Sequence, residues 1–173
     1  MKHEYSLLLR VILAVVPIPF FYFIFAQPTM LVSSWLTSYY NPLLIGDLFI
    51  VGGHTFVFVE ACIASLAYAL LWVLVWLIKD ISMDKRVFML LSSWAVLFIV
   101  NVIRIATLVS IAMEHGMDAF IATDVWVWWV ISGVLIAIIW IAMVLAYDVK
   151  SIPIWDDLKA LWDKSYFSRK SLP

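Results

Sequence analysis

Apolar residues in this chain are gathered into four runs, each long enough to form a membrane-spanning helix, because about 20 apolar residues cross the hydrocarbon core of a bilayer. The runs cover residues 6–26, 61–79, 86–113 and 124–147. Pro17 and Pro19 interrupt the first run and predict a kink, which membrane helices tolerate when neighbours satisfy the freed backbone groups. The pattern therefore predicts four transmembrane helices.

The segment between the first two runs has a different pattern. Residues 29–40 predict a short interfacial or re-entrant helix. Residues 48–59 read as two short strands around Gly52 and Gly53, a pattern typical of a β-hairpin. An open sheet edge cannot face lipid, so this hairpin is expected outside the hydrocarbon or packed against the helices.

A tail follows the fourth run. Four apolar side chains share one face of a helix there: Trp155, Leu158, Leu161 and Trp162. The pattern predicts either an amphipathic helix along the membrane surface or an ordinary cytosolic helix. The expected organisation is one transmembrane domain over residues 1–150 and a cytoplasmic tail over residues 151–173.

Composition places the chain among integral membrane proteins. It is 66% hydrophobic and 13% charged, whereas soluble domains carry roughly 45–50% apolar residues and about 25% charge. The fold class predicted is an all-α polytopic membrane protein with about four spanning helices, a short re-entrant helix and a small extracytoplasmic hairpin. The run over 6–26 exceeds the length of a cleavable signal core and is expected to be a retained anchor.

The basic residues define an orientation. With four spans, ten of the eleven lie on one side, which the positive-inside rule makes cytoplasmic together with both termini. These ten are Lys2, Arg10, Lys79, Lys85, Arg86, Lys150, Lys159, Lys164, Arg169 and Lys170. The outer segments, 27–60 and 114–123, contain neither Lys nor Arg.

Arg104 is the eleventh basic residue and lies inside the third run, three positions after Asn101. A charge in hydrocarbon costs at least about 2.5–3.5 kcal/mol, so such residues usually face a bundle interior or an aqueous cavity. The spacing puts both side chains on one helix face. We interpret the pair as an anion or oxyanion site; the alternative is a structural arginine that snorkels outward or pairs with a carboxylate.

Cys62 is the only cysteine, so no internal disulfide forms. It lies in the expected first turn of the second helix, where the dipole favours an anion, and it shares the outer half of the membrane with Arg104. These features leave two interpretations open: a side chain that only packs, which is the more common role of a lone membrane cysteine, and a nucleophilic thiolate. Glu60, two residues earlier, is either a carboxylate favoured at the helix start or a group that lines the same pocket.

Three outer residues are candidates for proton transfer. Asp124 opens the fourth run and is expected either to cap that helix, to orient a proton carrier or to pair with Arg104. His115 and His54 lie in outer segments and are either solvated or general acid/base groups. The residues predict no metal, cofactor or nucleic-acid site, because metal-spaced Cys/His clusters, glycine-rich phosphate loops and basic patches are missing from the sequence.

Two quoted stretches, "FVFVEACIASLAYAL" and "NVIRIATL", resemble the exosortase/archaeosortase family. In that family a β-like extracytoplasmic stretch leads into a Glu-x-Cys helix start, and the next span carries Asn-x-x-Arg. Here these motifs are Glu60-Ala61-Cys62 and Asn101-Val102-Ile103-Arg104. The resemblance covers about residues 45–147.

The chain departs from the family pattern at two places. The family's cysteine usually precedes Ser/Ala-Gly, whereas Ile63-Ala64-Ser65 follows here. The family's third catalytic residue is an Arg or His near the outer start of the next span, where this chain has Thr123 and Asp124.

The resemblance implies a membrane cysteine transpeptidase of a prokaryotic cytoplasmic membrane. Its expected partners are the C-terminal sorting signals of secreted proteins, made of a short motif, a transmembrane helix and a basic end, and a membrane lipid as acceptor. Cys62 would form a thioester and Arg104 would stabilise the thiolate or the oxyanion. The proton would come from His115, His54, Asp124 or water. The alternative class is a non-enzymatic transporter subunit or assembly factor in which Arg104 is structural or binds an anion.

Overall fold

The computed structural model describes residues 2–78, 81–127 and 132–149, which are mostly helical with one small sheet. The helices are α1 (Lys2–Val15), α2 (Phe21–Leu36), α3 (Glu60–Ile63), α4 (Ser65–Leu77), α5 (Met83–His115), α6 (Met117–Trp126) and α7 (Ser132–Ala146). The strands are β1 (Leu43–Ile45), β2 (Leu48–Val51) and β3 (His54–Val57). The predicted tail over residues 151–173 lies outside the described residues.

Within the described ranges, two stretches are long and apolar enough to cross a membrane: Leu9–Leu36, with 28 residues, and Met83–His115, with 33. Two shorter apolar helical stretches, Ser65–Leu77 and Gly133–Ala146, fall within the second and fourth predicted spans. The described structure thus supports two of the four predicted spans by length and composition.

The first apolar run is divided at its prolines, as expected. α1 ends at Val15, a 3-10 turn covers Ile18–Phe20, and α2 begins at Phe21. The prediction of a separate short helix over residues 29–40 is wrong, because α2 continues to Leu36 and only a 3-10 turn over Ser38–Tyr40 follows.

Polar residues on one face of α2 explain this difference. Thr29, Ser33 and Thr37 recur every four residues and are buried rather than interfacial. The Thr37 hydroxyl donates a 2.8 Å hydrogen bond to the Ser33 carbonyl. The polar positions therefore mark an inward-facing stripe of a long helix, not the end of a membrane segment.

The sheet contains the hairpin that the sequence predicts and one further strand. β2 and β3 pair antiparallel around Gly52 and Gly53, whose φ values of +56° and +82° suit a tight two-residue turn. β1 adds to the other edge of β2, giving the order β1-β2-β3. β1 has no signal in the sequence, because its three residues are too few to show an alternating pattern.

The helices and the sheet enclose an apolar cluster, called the sheet cluster here. Its buried members are Ala26, Met30, Phe49, Val51, Phe58, Ile63, Ile105 and Val109. They come from α2, the sheet and the residue after it, α3 and α5. The cluster therefore fixes the sheet and α3 against the C-terminal half of α5.

Arg86 fixes the opposite end of α4. Its guanidinium donates to the carbonyls of Val75 at 2.7 Å, Trp76 at 3.0 Å and Ile78 at 3.1 Å. The group also lies 5.2 Å from the centre of the Trp76 ring. Three carbonyls at the end of a helix need external partners, and a side chain from the start of α5 supplies them.

Candidate functional site

The second apolar run is broken just after Cys62. We expected one helix over residues 61–79, but α3 is a single turn and α4 begins at Ser65. Ala64 between them has φ +60° and ψ 32°, the left-handed conformation, which costs an L-residue roughly 1–2 kcal/mol. The expectation that Cys62 lies in the first turn of a long helix is therefore wrong.

Asn101 and Arg104 both reach the backbone of this turn. The Asn101 amide donates to the Cys62 carbonyl at 2.9 Å. Nη2 of Arg104 donates to the Ala61 carbonyl at 3.3 Å and lies 3.5 Å from that of Cys62. Their shared helix face, predicted from the spacing of three, is confirmed. The two sequence motifs thus meet at α3.

A pocket of about 710 Å³ lies beside this contact. Residues of α3, α4, α5, α6 and α7 line it, and most of them are apolar. Five lining side chains are polar: Glu60, Asn101, Arg104, Thr107 and Thr123. The size is that of a site for a small molecule or a short apolar segment, with polar groups that can fix its orientation.

Arg104 is the one cationic side chain among the described residues that line this pocket. It is half-buried, and its hydrogen-bond partners in the described ranges are backbone carbonyls. Its Nε atom is buried without a hydrogen-bond partner. The described residues contain no carboxylate within ion-pair distance of Arg104, although Glu60 lines the same pocket. Arg104 is therefore placed to bind an anionic or carbonyl oxygen that enters the pocket.

Cys62 itself is half-buried and packs against the sheet cluster; it is not among the pocket-lining residues. Tyr22 of α2 lies within electrostatic range of Cys62 and Glu60. The Cys62 side chain thus packs against the sheet cluster, while Glu60 and Ala61 of the same turn line the pocket.

The helical geometry of α5 separates its residues in the sheet cluster from its residues in the pocket lining. At about 100° per residue, Ile105 and Val109 of the sheet cluster lie on one side of Asn101. Val100 and Arg104, which line the pocket, lie on the other. Asn101 stands on the boundary and holds the carbonyl of Cys62.

Asp124 does not open a helix. It lies eighth in α6 (Met117–Trp126), whose N-cap residue is Gly116. Gly116 turns the chain at φ +87°, so α6 starts well before the predicted fourth span. The expectation that Asp124 caps the fourth helix is wrong, and its neighbour Thr123 lines the pocket instead. Residues 128–131 of that predicted span lie outside the described ranges.

His54 and His115 are not among the described residues that line the pocket. His54 is exposed at the start of β3, and His115 is exposed at the end of α5. Next to His115, the Tyr40 hydroxyl donates a 3.2 Å hydrogen bond to the Glu114 carboxylate. A role of either histidine in proton transfer stays a prediction.

Sequence reasoning missed the two pocket threonines. Thr107 follows Arg104 by three residues, so the periodicity that linked Asn101 with Arg104 also reaches it. Thr123 stands where the resembled family has its third catalytic residue, but helix periodicity does not place it in the pocket, because its position there depends on how α6 packs on α5.

None of the known protein-family models matches this chain, and neither does any curated protein or solved structure at a significant level. Function is therefore argued from the site's own residues and geometry.

Proposed function

We propose that this protein is a membrane cysteine peptidase or transpeptidase of exosortase/archaeosortase type, with Cys62 as nucleophile. The observation that carries the proposal is the contact between the two motifs. Asn101 and Arg104, from one of the long apolar helices, both donate to carbonyls of the turn that carries Cys62. Residues that are far apart in sequence thus form one site.

The backbone at Ala64 supports the same resemblance. The family has Ser/Ala-Gly after its cysteine, which places the glycine at position 64 of this chain. Ala64 is in the left-handed conformation, the one that glycine adopts without steric cost. An alanine in this conformation fits a position where the family has glycine.

The chemistry follows from these groups. The Cys62 thiolate attacks the scissile carbonyl, a C–S bond forms, and the C–N bond breaks to give a thioester. The Arg104 guanidinium stabilises the oxyanion, a charge-assisted interaction that strengthens as negative charge develops. The leaving amine takes its proton from His115, His54, Asp124 or water. Water or a lipid nucleophile then releases the thioester.

The substrate class is a secreted protein with a C-terminal sorting signal: a short motif, a transmembrane helix and a basic end. The largely apolar pocket beside α3 suits an apolar segment next to the scissile bond. The proposed location is a prokaryotic cytoplasmic membrane, crossed four times, with the site facing outward and both termini in the cytoplasm, as the basic residues indicate.

The test is processing of a co-expressed protein that carries such a sorting signal. Cys62→Ala and Arg104→Ala should each abolish the shift in substrate mass. Ser110→Ala is the matched control and should process the substrate normally. Among the described residues, the Ser110 hydroxyl donates only to the Ala106 carbonyl of its own helix. Normal processing of the substrate by Cys62→Ala would contradict the proposal. Normal processing by Arg104→Ala would show that Arg104 has no role in the reaction.

One observation favours a second candidate function. Arg104 lines an apolar pocket with only backbone oxygens as described partners, an arrangement that also suits anion binding by a transporter subunit or assembly factor. In that case Cys62→Ala has no phenotype whereas Arg104→Ala does. Comparing the two variants in the native host therefore separates the two classes.

A further inference from the structure

One edge of the small sheet is open, and it directly precedes the turn that carries Cys62. The order β1-β2-β3 leaves β3 (His54–Val57) at an edge, with no further strand beside it in the described residues. Only Phe58 and Val59 separate β3 from α3. A peptide bound along this edge would therefore lead toward Cys62.

The register of the hairpin shows which backbone groups of β3 face outward. The Phe58 amide donates to the Asp47 carbonyl at 3.0 Å, and opposite residues in an antiparallel ladder alternate between bonded and non-bonded pairs. Phe56 therefore bonds to β2, whereas the N–H and C=O groups of Thr55 and Val57 point away from it. These four groups have no backbone partner among the described residues. They form a free hydrogen-bonding edge.

This edge lacks the features by which proteins usually protect an edge strand, such as proline, lysine or a β-bulge. The stretch His54–Val59 contains neither proline nor lysine, and its register with β2 is regular. The opposite edge differs, because Pro42 directly precedes β1 and Leu44 packs against the sheet cluster. Free backbone groups cannot face lipid, so the β3 edge needs water or another strand as its partner.

The pocket lining begins close to the place where β3 ends. Phe120 of α6 contacts Phe56 of β3, with ring centres 5.2 Å apart. Thr123 follows Phe120 by three residues, so both lie on one helix face, and Thr123 lines the pocket. Glu60 and Ala61, just after the sheet, line it from α3. The free edge and the pocket are thus neighbours.

We propose that β3 is the docking strand for the substrate, whose extended segment before the scissile bond adds to the sheet as a fourth strand. Hydrogen bonds to the backbone of Thr55 and Val57 hold this segment, as in other cases of strand addition. The proposal deepens the function proposed above and rests on it. In a sorting signal the short motif precedes the transmembrane helix, and β3 likewise precedes the apolar helix α4. Both chains run toward the membrane, so the added strand is parallel to β3.

Disulfide cross-linking tests the pairing and its direction. The full-length chain carries Cys62→Ala, which removes its only native thiol and keeps the substrate uncleaved, together with Thr55→Cys or Val57→Cys. The probe is the co-expressed sorting-signal protein, with single cysteines at successive positions before its apolar helix. Membranes are oxidised with copper–phenanthroline, and adducts are separated on non-reducing gels. Ile45→Cys, at an exposed position of β1, is the matched control.

We expect adducts at alternate substrate positions, because side chains on one face of a sheet recur every two residues. Neighbouring strands lie about 4.8 Å apart, within the roughly 7 Å between Cα atoms that a disulfide spans. Moving the cysteine from Thr55 to Val57 should shift the best partner two residues toward the C-terminus of the substrate. A shift toward its N-terminus, or the same series of adducts from Ile45→Cys, overturns the proposal.

A kinetic measurement tests the same edge with Cys62 present. Thr55→Pro removes one outward N–H and leaves the bonds to β2 in place. Loss of one hydrogen bond should raise the KM for processing of the purified probe about fivefold. The kcat should not change, because the edge binds the ground state and the transition state alike. An unchanged KM overturns the docking strand; if Thr55→Pro does not fold, the cross-linking series decides alone.

Strand addition and the cysteine chemistry fail separately. Processing of the probe by the parent protein, without alternating adducts, overturns strand addition and leaves Cys62 as the nucleophile. Alternating adducts without processing support strand addition and contradict the role of Cys62. A probe that is neither processed nor cross-linked overturns both proposals.

Discussion

The side-chain amide of Asn101 holds the backbone carbonyl of Cys62 at 2.9 Å across 39 residues of sequence. Asn101 is 4% exposed. If this bond were broken, water could not fully replace it as a hydrogen-bond partner for the Asn101 amide and the Cys62 carbonyl. The bond ties a one-turn helix to the longest helix described. It thus makes the position of Cys62 depend on a residue that need not itself react.

Asn101→Leu, which keeps the side chain's approximate size but removes the donor, should lower the free energy of unfolding by about 1–3 kcal/mol, the cost of a buried group left unpaired. Thermal unfolding in detergent, followed by tryptophan fluorescence, measures it. Ser110→Ala on the same helix is the control and should stay within about 0.5 kcal/mol of the parent. Equal stability of the two variants would contradict the assigned role of the bond.

Ala64→Gly should stabilise the fold. The substitution removes the roughly 1–2 kcal/mol that the left-handed conformation costs an alanine. Glycine loses more chain entropy on folding, which costs roughly 0.5–1 kcal/mol, so the net gain in stability is about 0.5–1 kcal/mol. Ala67→Gly, three residues on inside α4, should instead destabilise. Chemical denaturation of both variants gives the comparison. A lower stability for Ala64→Gly would show that position 64 is not left-handed in the folded protein.

Gly52→Ala should destabilise more than Gly46→Ala. Both glycines have left-handed φ values, +56° and +59°, so they share the conformational cost. A methyl group at position 52 would also overlap Met113 of α5, whereas position 46 faces open space. The excess should be at most about 1 kcal/mol, the low end of the cost of overpacking, because the overlapping atoms lie at the flexible end of the Met113 side chain. Thermal unfolding measures it.

Met113→Ala in the Gly52→Ala background checks the cause of that excess. Removing the Met113 side chain should recover most of the difference between the two glycine variants. A double variant no more stable than Gly52→Ala would show that the sheet does not dock on α5 at this point.

Arg86→Met should cost more than about 1.5 kcal/mol, the lower value for a single hydrogen bond to a charged group, because three carbonyls at the end of α4 lose their donor. Lys85→Met is the matched control: Lys85 is exposed, and its replacement should have little effect. Denaturant titration in mixed micelles measures both. Similar losses of stability in the two variants would contradict the role of Arg86 as donor to the carbonyls at the end of α4.

Local patterns predicted the parts of this fold that depend on local chemistry. Paired glycines at 52 and 53 indicated the hairpin, the prolines at 17 and 19 indicated a break, and spacing placed Asn101 and Arg104 on one face. Each signal lies within a few residues of its effect, which is why sequence alone reveals it.

The remainder depends on contacts that are distant in sequence. Alanine is the best helix former, so nothing at Ala64 announces a left-handed break. Asp124 resembled a helix start, but Gly116 begins that helix earlier. The sequence indicated for Arg86 only a cytoplasmic charge and no structural contact, because its three carbonyl partners lie at the end of the preceding helix. Tertiary packing determines the break at Ala64, the start of α6 and the contacts of Arg86, and the periodicity of the sequence carries no information about such packing.

The length of α5 sets the depth of the site. Its 33 residues extend about 50 Å, whereas a hydrocarbon core is about 30 Å thick. If charged residues 84–86 mark one boundary of a bilayer around α5, the other boundary falls about 20 residues on, near position 106. Met113 and the sheet docked on it would then lie in the headgroup layer, and Arg104 would lie about half a turn beneath the boundary. Water and lipid headgroups would meet at Arg104, so bilayer thickness itself would become a control on the site: thinner membranes would hydrate Arg104, and thicker ones would bury it.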